Sequence, residues 1–442
     1  MTIRMDEGAA ELLDTLHRAG YAAYVVGGCV RDSLLGLTPH DWDLCTSALP
    51  QQGMELFGAE KCIPTGLQHG TVTVKQGGGL YEITTFRTEG TYTDGRHPDE
   101  VYFVPDVRED LARRDFTINA MAYNEKEGLV DPFGGQADLQ SGVLRAVGVP
   151  HQRFTEDALR ILRLYRFAAR FGFAIDPPTA QAAQELCAHL DCVSVERIEE
   201  ELAKLLSAPA PAAYLDEKIL GVVLPELSPE ALAAAKPVVD ACPAGERALP
   251  VRLAALLLSL GEDGTRCTLR RLRCSNACVE ETAVLVREIV SGVPGAFSSD
   301  TNRAIPSPAL LPAATGSHPS GRSSEKLPAR PPVSLNIYAR RLLGKYNLCT
   351  VQRLAALGTA LQPEHAADFA ALSELAEQLD ADGVCCRVSQ LAVNGRDLMA
   401  AGVPEGPGIR KVLEALLDGV IREEYPNERQ ALLAAVQQLA AS

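Results

Sequence analysis

The chain lacks any apolar run near the roughly 20 residues needed to cross a bilayer, and it lacks a charged-then-apolar leader of the secretory kind. Both absences point to a cytoplasmic protein. Basic residues are also in short supply: 42 Lys and Arg face 57 Asp and Glu, for a net charge of −15. That balance disfavours indiscriminate nucleic-acid binding, although a local basic groove still attracts phosphate. Zinc-type cysteine spacing is missing too. Twelve cysteines are scattered along the sequence. The one cluster, Cys267, Cys274 and Cys278, has neither a CxxC step nor a fourth ligand, so the thiols read as free and structural. No internal repeat is present. What is present is 46% hydrophobic content over 442 residues, a globular composition too long for one core and expected to form about two to four domains.

Against this acidic background the stretch FTEDALRILRLYRFAARFGF (154–173) is unusual. At about 100° per residue, Arg160, Arg163, Arg166 and Arg170 share roughly a third of a helix circumference. Ile161, Leu162, Leu164, Tyr165, Ala168 and Phe171 take the other side, which packs. The basic side is either a solvated face or a binding surface, and the helix alone does not decide.

Its surroundings are informative. Residues 5–19 read as a helix with Leu12, Leu13 and Leu16 on one face. YAAYVV (21–26) reads as a strand, SLLGL as a brief helix and DWDLCT (41–46) as a second strand. TVTVKQGGGLYEITTFR (71–87) alternates on either side of a triple glycine and predicts a hairpin. VYFV (101–104) is another strand, RRDFTINAMAY (113–123) reads as helical, and DPFGG is a turn. The first ~145 residues are therefore mixed α/β with mostly local strand pairing. From Phe154 onward the pattern is helical. The exception is 298–334, a Ser/Pro-rich stretch without periodicity that reads as a disordered insertion.

Two motifs carry chemistry. VVGGCVRDSLLG (25–36) is a strand ending in two glycines that enters a helix bearing Arg31 and Asp32. It is either an ordinary tight turn with a salt bridge or a place where phosphate meets backbone N–H groups, with Arg31 assisting. In HDWDLCT, Asp41 and Asp43 point to one face of a strand. Two such carboxylates repel unless a cation neutralises them, and hard oxygen donors suit Mg²⁺ completed by water and substrate phosphates. His40 beside Asp41 suggests an HD phosphohydrolase only if further His/Asp pairs accompany it, and none does.

In order and spacing, GG-x-V-R-D, D-x-D, RRDFTINAMAY, DPFGG, EDALRILRLYRFAARF and VERIEEEL (195–202) resemble the class II, bacterial-type tRNA nucleotidyltransferases. These are the CCA-adding enzymes, which share a head with poly(A) polymerases in the polymerase β nucleotidyltransferase superfamily. The helical half matches more loosely, chiefly at LAVNGRDLMAAGVPEGPGI (391–409). The resemblance implies an α+β head with a small mixed sheet followed by an all-α neck, body and tail. Its expected limits are head 1–145, neck 146–206, body 207–297, insertion 298–334 and body/tail 335–442. It implies nucleotidyl transfer from CTP and ATP to a tRNA 3′-hydroxyl without a nucleic-acid template. Gly28 and Arg31 would hold the triphosphate, and Asp41 and Asp43 would ligate Mg²⁺. Glu82 is the candidate third carboxylate. One ion would lower the pKa of the 3′-hydroxyl and another would steady pyrophosphate. Arg114 and Asp115 match a ribose-contacting pair, or else form a buried ion pair.

The arginine helix then acquires a use. Asp157 would accept from the amino group of cytosine or adenine while Arg160 donates to the ring acceptors, two neighbours at i,i+3. Uracil and guanine would present an oxygen to Asp157, and mismatched buried polar groups cost roughly 1–3 kcal/mol each. Arg163 and Arg166 match positions that contact nucleotide, and Arg170 falls to RNA backbone or solvent. TEGTYTDGRHP (88–98) is loop-like in composition. Its Asp94, Arg96 and Pro98 match the loop that lets complete CCA-adding enzymes switch from C to A, which favours full CCA addition over CC-only or A-only addition or a poly(A) polymerase. A non-enzymatic RNA-binding protein is disfavoured because both metal carboxylates are present. In ALLLSLGED, Leu258 and Ser259 stand where some relatives keep His-Asp, so no phosphohydrolase activity is expected there.

Overall fold

The computed structural model describes residues 3–90, 100–291 and 335–440. They form two compact units, Met1–Pro225 and Glu226–Ser442. All twelve cysteines are free, and among the described residues no helix is long and apolar enough to cross a membrane.

The first unit opens with α1 (Glu7–Arg18), capped by the Asp6 carboxylate on the amides of Gly8 and Ala9 and burying Leu12, Leu13 and Leu16. Then come β1 (Ala23–Val26), α2 (Gly28–Leu34), β2 (Leu44–Thr46), α3 (Pro50–Phe57), β3 (Cys62–Gly66), β4 (Thr71–Gln76) and β5 (Gly79–Thr85). A short ribbon, β6 (Arg87–Glu89) and β7 (Val101–Phe103), precedes α4 (Val107–Ala112), β8 (Ala122–Asn124), β9 (Gly128–Val130), α5 (Gly135–Ser141) and β10 (Val143–Leu144). Helices follow: α6 (Pro150–Glu156), α7 (Leu159–Phe171), then β11 (Ala174–Ile175), α8 (Pro177–Leu186), α9 (Val195–Leu206) and α10 (Glu217–Val223). The main sheet has seven strands in the order β3-β4-β5-β2-β1-β8-β9. Tyr24, Val26, Cys45, Phe86, Val107, Leu111, Ala120, Ala122 and Val147 form a buried cluster that joins this sheet to α4.

The hairpin at 71–87 forms as expected, with Gln76 opposite Gly79. Two expectations do not hold, the extent of the DWDLCT strand and the helix at 113–123. DWDLCT is strand only over Leu44–Thr46, so Asp41 and Asp43 lie just before it. Strand pairing is mostly local, as expected, with β2 parallel to β5 and β1 against β8, Val25 opposite Tyr123, as the longer-range exceptions in the main sheet. RRDFTINAMAY is not an α-helix: after a turn it has a 3-10 turn at Thr117–Asn119 and then enters β8. Every residue from Asp115 to Asn124 is buried, which leaves no face for solvent. The Asp115 carboxylate also takes the Phe116 amide, and side chains that bond nearby backbone compete with helix.

The second unit is helical: α11 (Pro229–Ala241), α12 (Leu249–Leu257), α13 (Gly261–Arg271), α14 (Asn276–Val290), α15 (Leu335–Lys345), α16 (Leu348–Leu361), α17 (Ala366–Ala381), α18 (Gly395–Ala400), α19 (Pro407–Ile421) and α20 (Arg429–Ala440). α12 is buried from Pro250 to Leu257, as expected of a helix apolar on nearly all sides. A separate small core of Leu398, Leu416, Val420, Leu432 and Val436 holds α18–α20 together. The Ser/Pro-rich 298–334 lies outside the described residues.

Candidate active site

The parallel register of β2 and β5 sets Leu44 beside Ile83 and Cys45 beside Thr84. One step back along both chains stand Asp43 and Glu82. Leu44 and Ile83 are buried, whereas Asp41, Asp43 and Glu82 are exposed. Although part of Asp43 meets solvent, the protein packed around it pushes its pKa above the ordinary carboxylate value. Arg114 opposes that rise, and the charges of Glu82 and Asp41 add to it. Asp43 thus feels two neighbouring carboxylates with incomplete compensation. Among the described residues no three carboxylate, imidazole or thiol groups converge tightly enough to hold a metal unaided. Such an open hard-oxygen set fits Mg²⁺ rather than zinc, since Mg²⁺ takes one or two carboxylates and completes its shell with water and substrate phosphates.

The glycine turn lies alongside. Val26 donates its amide to the Asp43 carbonyl, which ties the end of β1 to the acidic segment. Gly27 follows at φ 78° and ψ −122°, in the region L-residues avoid, and a Cβ there would come within 2.9 Å of Arg114 Nη1. The Arg114 guanidinium therefore sits over the turn as well as near Asp43, 3.5 Å from fully buried Asp110.

Arg31 is placed differently from a free phosphate-gripping side chain. It is 4% exposed, donates from Nε to Asp32 (2.8 Å) and from Nη1 to Asn119 (2.6 Å). Its guanidinium carbon lies 5.3 and 5.0 Å from the ring centres of Phe167 and Phe171. It braces the turn against α7 and would have to leave these partners to reach a phosphate.

Helix α7 carries the arginines on a face where each is paired with a carboxylate. Arg163 donates Nε and Nη2 to one Asp115 oxygen (2.8 and 2.7 Å), while Asn119 and the Phe116 amide occupy the other. Burial alone would raise the Asp115 pKa, but Arg163, the Asn119 hydrogen bond and Arg160 overcome it and bring the pKa down to about 2. Arg114 and Asp115, adjacent in sequence, thus belong to different ion pairs. Arg166 Nε lies 2.6 Å from Glu201 of α9, which also faces Arg163 at 3.7 Å. Burial pulls the Arg166 pKa down to about 10.

Asp157 and Arg160 do not share a helix. The stretch read as one helix breaks at Asp157 (φ −146°, ψ 104°) between α6 and α7. The cause is local: the Asp157 carboxylate accepts the Leu159 amide (3.1 Å), giving the chain a start signal in mid-run. Arg160 donates to Glu156 (2.7 Å) and to the carbonyls of Arg153 and Arg113, whereas Asp157 is held by Arg197 of α9. Sequence reasoning passed over Arg197, Glu201, Asp110, Asn119 and Phe167. The i,i+4 step of Arg197 and Glu201 inside VERIEEEL was the available signal, one cation and one anion facing a helix of mostly arginines. Asp94, Arg96 and Pro98 lie outside the described residues.

Comparison with known proteins shows which family the chain resembles. Residues 23–145 match the Poly A polymerase head domain and residues 334–436 match tRNA nucleotidyltransferase domain 2. The chain is 35% identical over 442 residues to a CCA-adding enzyme of Limosilactobacillus fermentum, covering 98% of this chain and 97% of that protein. The chain belongs to the CCA-adding enzyme family. It is accordingly a nucleotidyltransferase. A CCA-adding enzyme of Lactiplantibacillus plantarum is 48% identical over 209 residues, a match spanning 47% of this chain and 51% of that protein. The crystal structure of the Bacillus stearothermophilus CCA-adding enzyme in complex with CTP superposes with a TM-score of 0.77 at 29% identity, covering 99% of this chain and 98% of that one.

Proposed function

We propose that this chain adds C, C and A to the 3′ end of tRNA from CTP and ATP, in the cytoplasm, with no nucleic-acid template. The observation that carries the reading is the exposed trio Asp41, Asp43 and Glu82 beside a glycine turn, in the same unit as Asp157 and Arg160. Asp41 and Asp43 would hold Mg²⁺, with Glu82 as third carboxylate; bound there, the ion supplies neutralisation of triphosphate charge and a lowered pKa for the attacking 3′-hydroxyl. Gly28 gives the triphosphate close access to backbone, Arg31 stiffens that turn, and Arg114 contributes positive charge over it. Asp115, ionised by Arg163, aligns the ribose side of the pocket. Asp157 accepts from the base amino group and Arg160 donates to the ring acceptors. Arg163 and Arg166 keep that face ordered toward the nucleotide.

In this reading residues 1–145 are the catalytic head, 146–206 the neck that selects the nucleotide, and 207–297 with 335–442 the body and tail that hold tRNA through shape and phosphate contacts. The test is to incubate a tRNA transcript lacking its CCA end with all four NTPs and Mg²⁺ and to sequence the product. CCA ends support the reading. Ends that stop at CC, or long runs of A, replace it with the CC-only or poly(A) activity, and no incorporation overturns it.

A further inference from the structure

Three exposed carboxylates create a difficulty for an RNA substrate, because Asp41, Asp43 and Glu82 repel its phosphates. The same face of the sheet carries an answer nearby. Along β5, Tyr81 and Ile83 are buried while Leu80 and Glu82 are exposed, so Leu80 shares the face of Glu82. Glu82 lies opposite Thr73 of β4, and Leu80 lies opposite Lys75. One strand further out, Cys62 pairs with Val74 and Ile63 with Thr73, and Lys75 donates its amide to the Lys61 carbonyl (2.9 Å). Lys61, Lys75 and Leu80 therefore form one row across the sheet. That row lies about 7 Å along the strands from the row holding Glu82. The opposite face of the hairpin is fastened to the start of the chain, where Tyr81 bonds Asp6 and Gln76 bonds Glu11.

Both lysines are exposed, and among the described residues neither has a carboxylate partner. Like charges directly opposite on a sheet are destabilising, so the pair costs the fold something and gains nothing within it. Leu80, 65% exposed, is the most exposed large hydrophobic among the described residues. A lone exposed leucine needs no explanation. Beside two lysines it completes a row with a cationic end and an apolar end, which suits a nucleotide's phosphate and its sugar and base.

The strand order decides the occupant. β2 and β5 lie between β4 and β1, the strand that ends in the glycine turn. Transfer sets the attacking and leaving oxygens roughly in line. With the triphosphate over the glycine turn, pyrophosphate departs on the β1 side, and the 3′-hydroxyl approaches from the side of β5 and β4.

We infer that Lys61, Lys75 and Leu80 seat the 3′-terminal nucleotides of the acceptor RNA, the lysines on backbone phosphates and Leu80 against the sugar and base of the end being extended. The inference rests on the reading of the glycine turn as the triphosphate site.

The experiment uses the full chain with two transcripts lacking CCA, a whole tRNA and a minihelix of its acceptor stem and T arm. KM for RNA and KM for CTP are measured at several salt concentrations. Lys61→Ala combined with Lys75→Ala should raise KM for both RNAs at least roughly tenfold near 0.1 M salt. It should also make the salt slope shallower by about 1.4, two single-strand contacts at about 0.7 each. KM for CTP and kcat should stay within about twofold, which a general folding defect would not produce. Lys61→Arg with Lys75→Arg should keep the wild-type slope, and Leu80→Ser should raise KM for RNA without changing it. If the wild-type chain adds CCA and the double alanine variant leaves KM for RNA and the slope unchanged, this inference is wrong and the proposed function stands. A rise in KM for CTP in place of KM for RNA overturns it by moving the lysines to the nucleotide site. A rise with tRNA but not with the minihelix overturns it by moving the contact away from the acceptor end. If the wild-type chain extends neither transcript, the proposed function falls and this inference with it.

Discussion

Two charged regions of the first unit follow opposite rules. Around Asp43 the carboxylates of Asp41 and Glu82 are exposed and raise the cost of ionising Asp43, with Arg114 as the opposing charge. Along α7 every arginine has an acidic partner: Arg160 has Glu156, Arg163 has Asp115 and Glu201, Arg166 has Glu201 and Arg170 has Asp32. The first arrangement is unfinished without a cation. The second is closed on itself, and a removed member leaves a charge behind with too little compensation. Under the proposed function, the contrast separates groups placed for a reaction from groups placed to hold a shape.

The widest separation is expected at the carboxylates. Asp43→Ala or Asp41→Ala should cut nucleotide incorporation at least roughly a thousandfold, since metal-mediated charge stabilisation is worth several kcal/mol. The melting temperature should stay level or rise, because one member of a repelling set is gone. Single-turnover assays with Mg²⁺ and a thermal melt check both halves. Activity above a few per cent of wild type, or a large loss of stability, would put these residues in the structural class and erase the contrast.

Arg160 is the next test, since it belongs to the closed network yet is proposed to meet the base. Arg160→Ala removes donors to cytosine N3 and O2 or adenine N1, so C and A addition should fall about ten- to a hundredfold, as for hydrogen bonds to charged groups. Asp157 remains to repel the O4 of uracil, so U should gain little. Four-nucleotide competition decides it. Wild-type rate and preference would make this arginine purely structural.

Asp115 sharpens the other side of the contrast. Its pKa is depressed to about 2 in the folded chain, so the unfolded state binds the proton more tightly. The resulting stability is present in full above the unfolded carboxylate pKa near 4 and is lost as pH falls toward 2. The depression corresponds to about 2 kcal/mol. Asp115→Asn should therefore destabilise the chain by about that much at pH 7, and the gap from wild type should close between about pH 4 and pH 2. Denaturant unfolding across that range measures it, and a gap independent of pH would show that Asp115 matters through packing alone.

What was legible in the sequence follows the same division. The D-x-D pair and the glycine turn were readable because their spacing is local: two residues in the short segment that leads into one strand, and a strand running into a helix. The base of the hairpin and α1 were readable from periodicity. The region 113–123 was misread because Arg113, Arg114 and Asp115 suggest a polar helix face, while in the fold they diverge. Arg113 and Arg114 turn to Asp110, and Asp115 turns to Arg163. The partners of α7 were invisible for a related reason. Glu201 and Arg197 lie roughly forty residues from the groups they hold, and nothing in the sequence states which charged face of one helix meets which face of another. The β1–β8 pairing spans about a hundred residues and was hidden likewise.

The smallest effect belongs to Arg170, and it probes where the closed network ends. Its side chain is 43% exposed, its Nη2 is 3.5 Å from Asp32, and its guanidinium lies over the Phe171 ring. An ion pair this open contributes about 0–1 kcal/mol, so Arg170→Ala should leave stability and base preference close to wild type. If Arg170 instead meets an RNA phosphate, its loss should weaken tRNA binding and reduce the slope of log K against log salt by about one contact's share. Measuring KM for tRNA at several salt concentrations separates these. A KM within twofold of wild type and an unchanged salt slope would end the network at Arg166. A shallower slope with unchanged melting would make Arg170 the point where the paired face of α7 opens toward the nucleic acid.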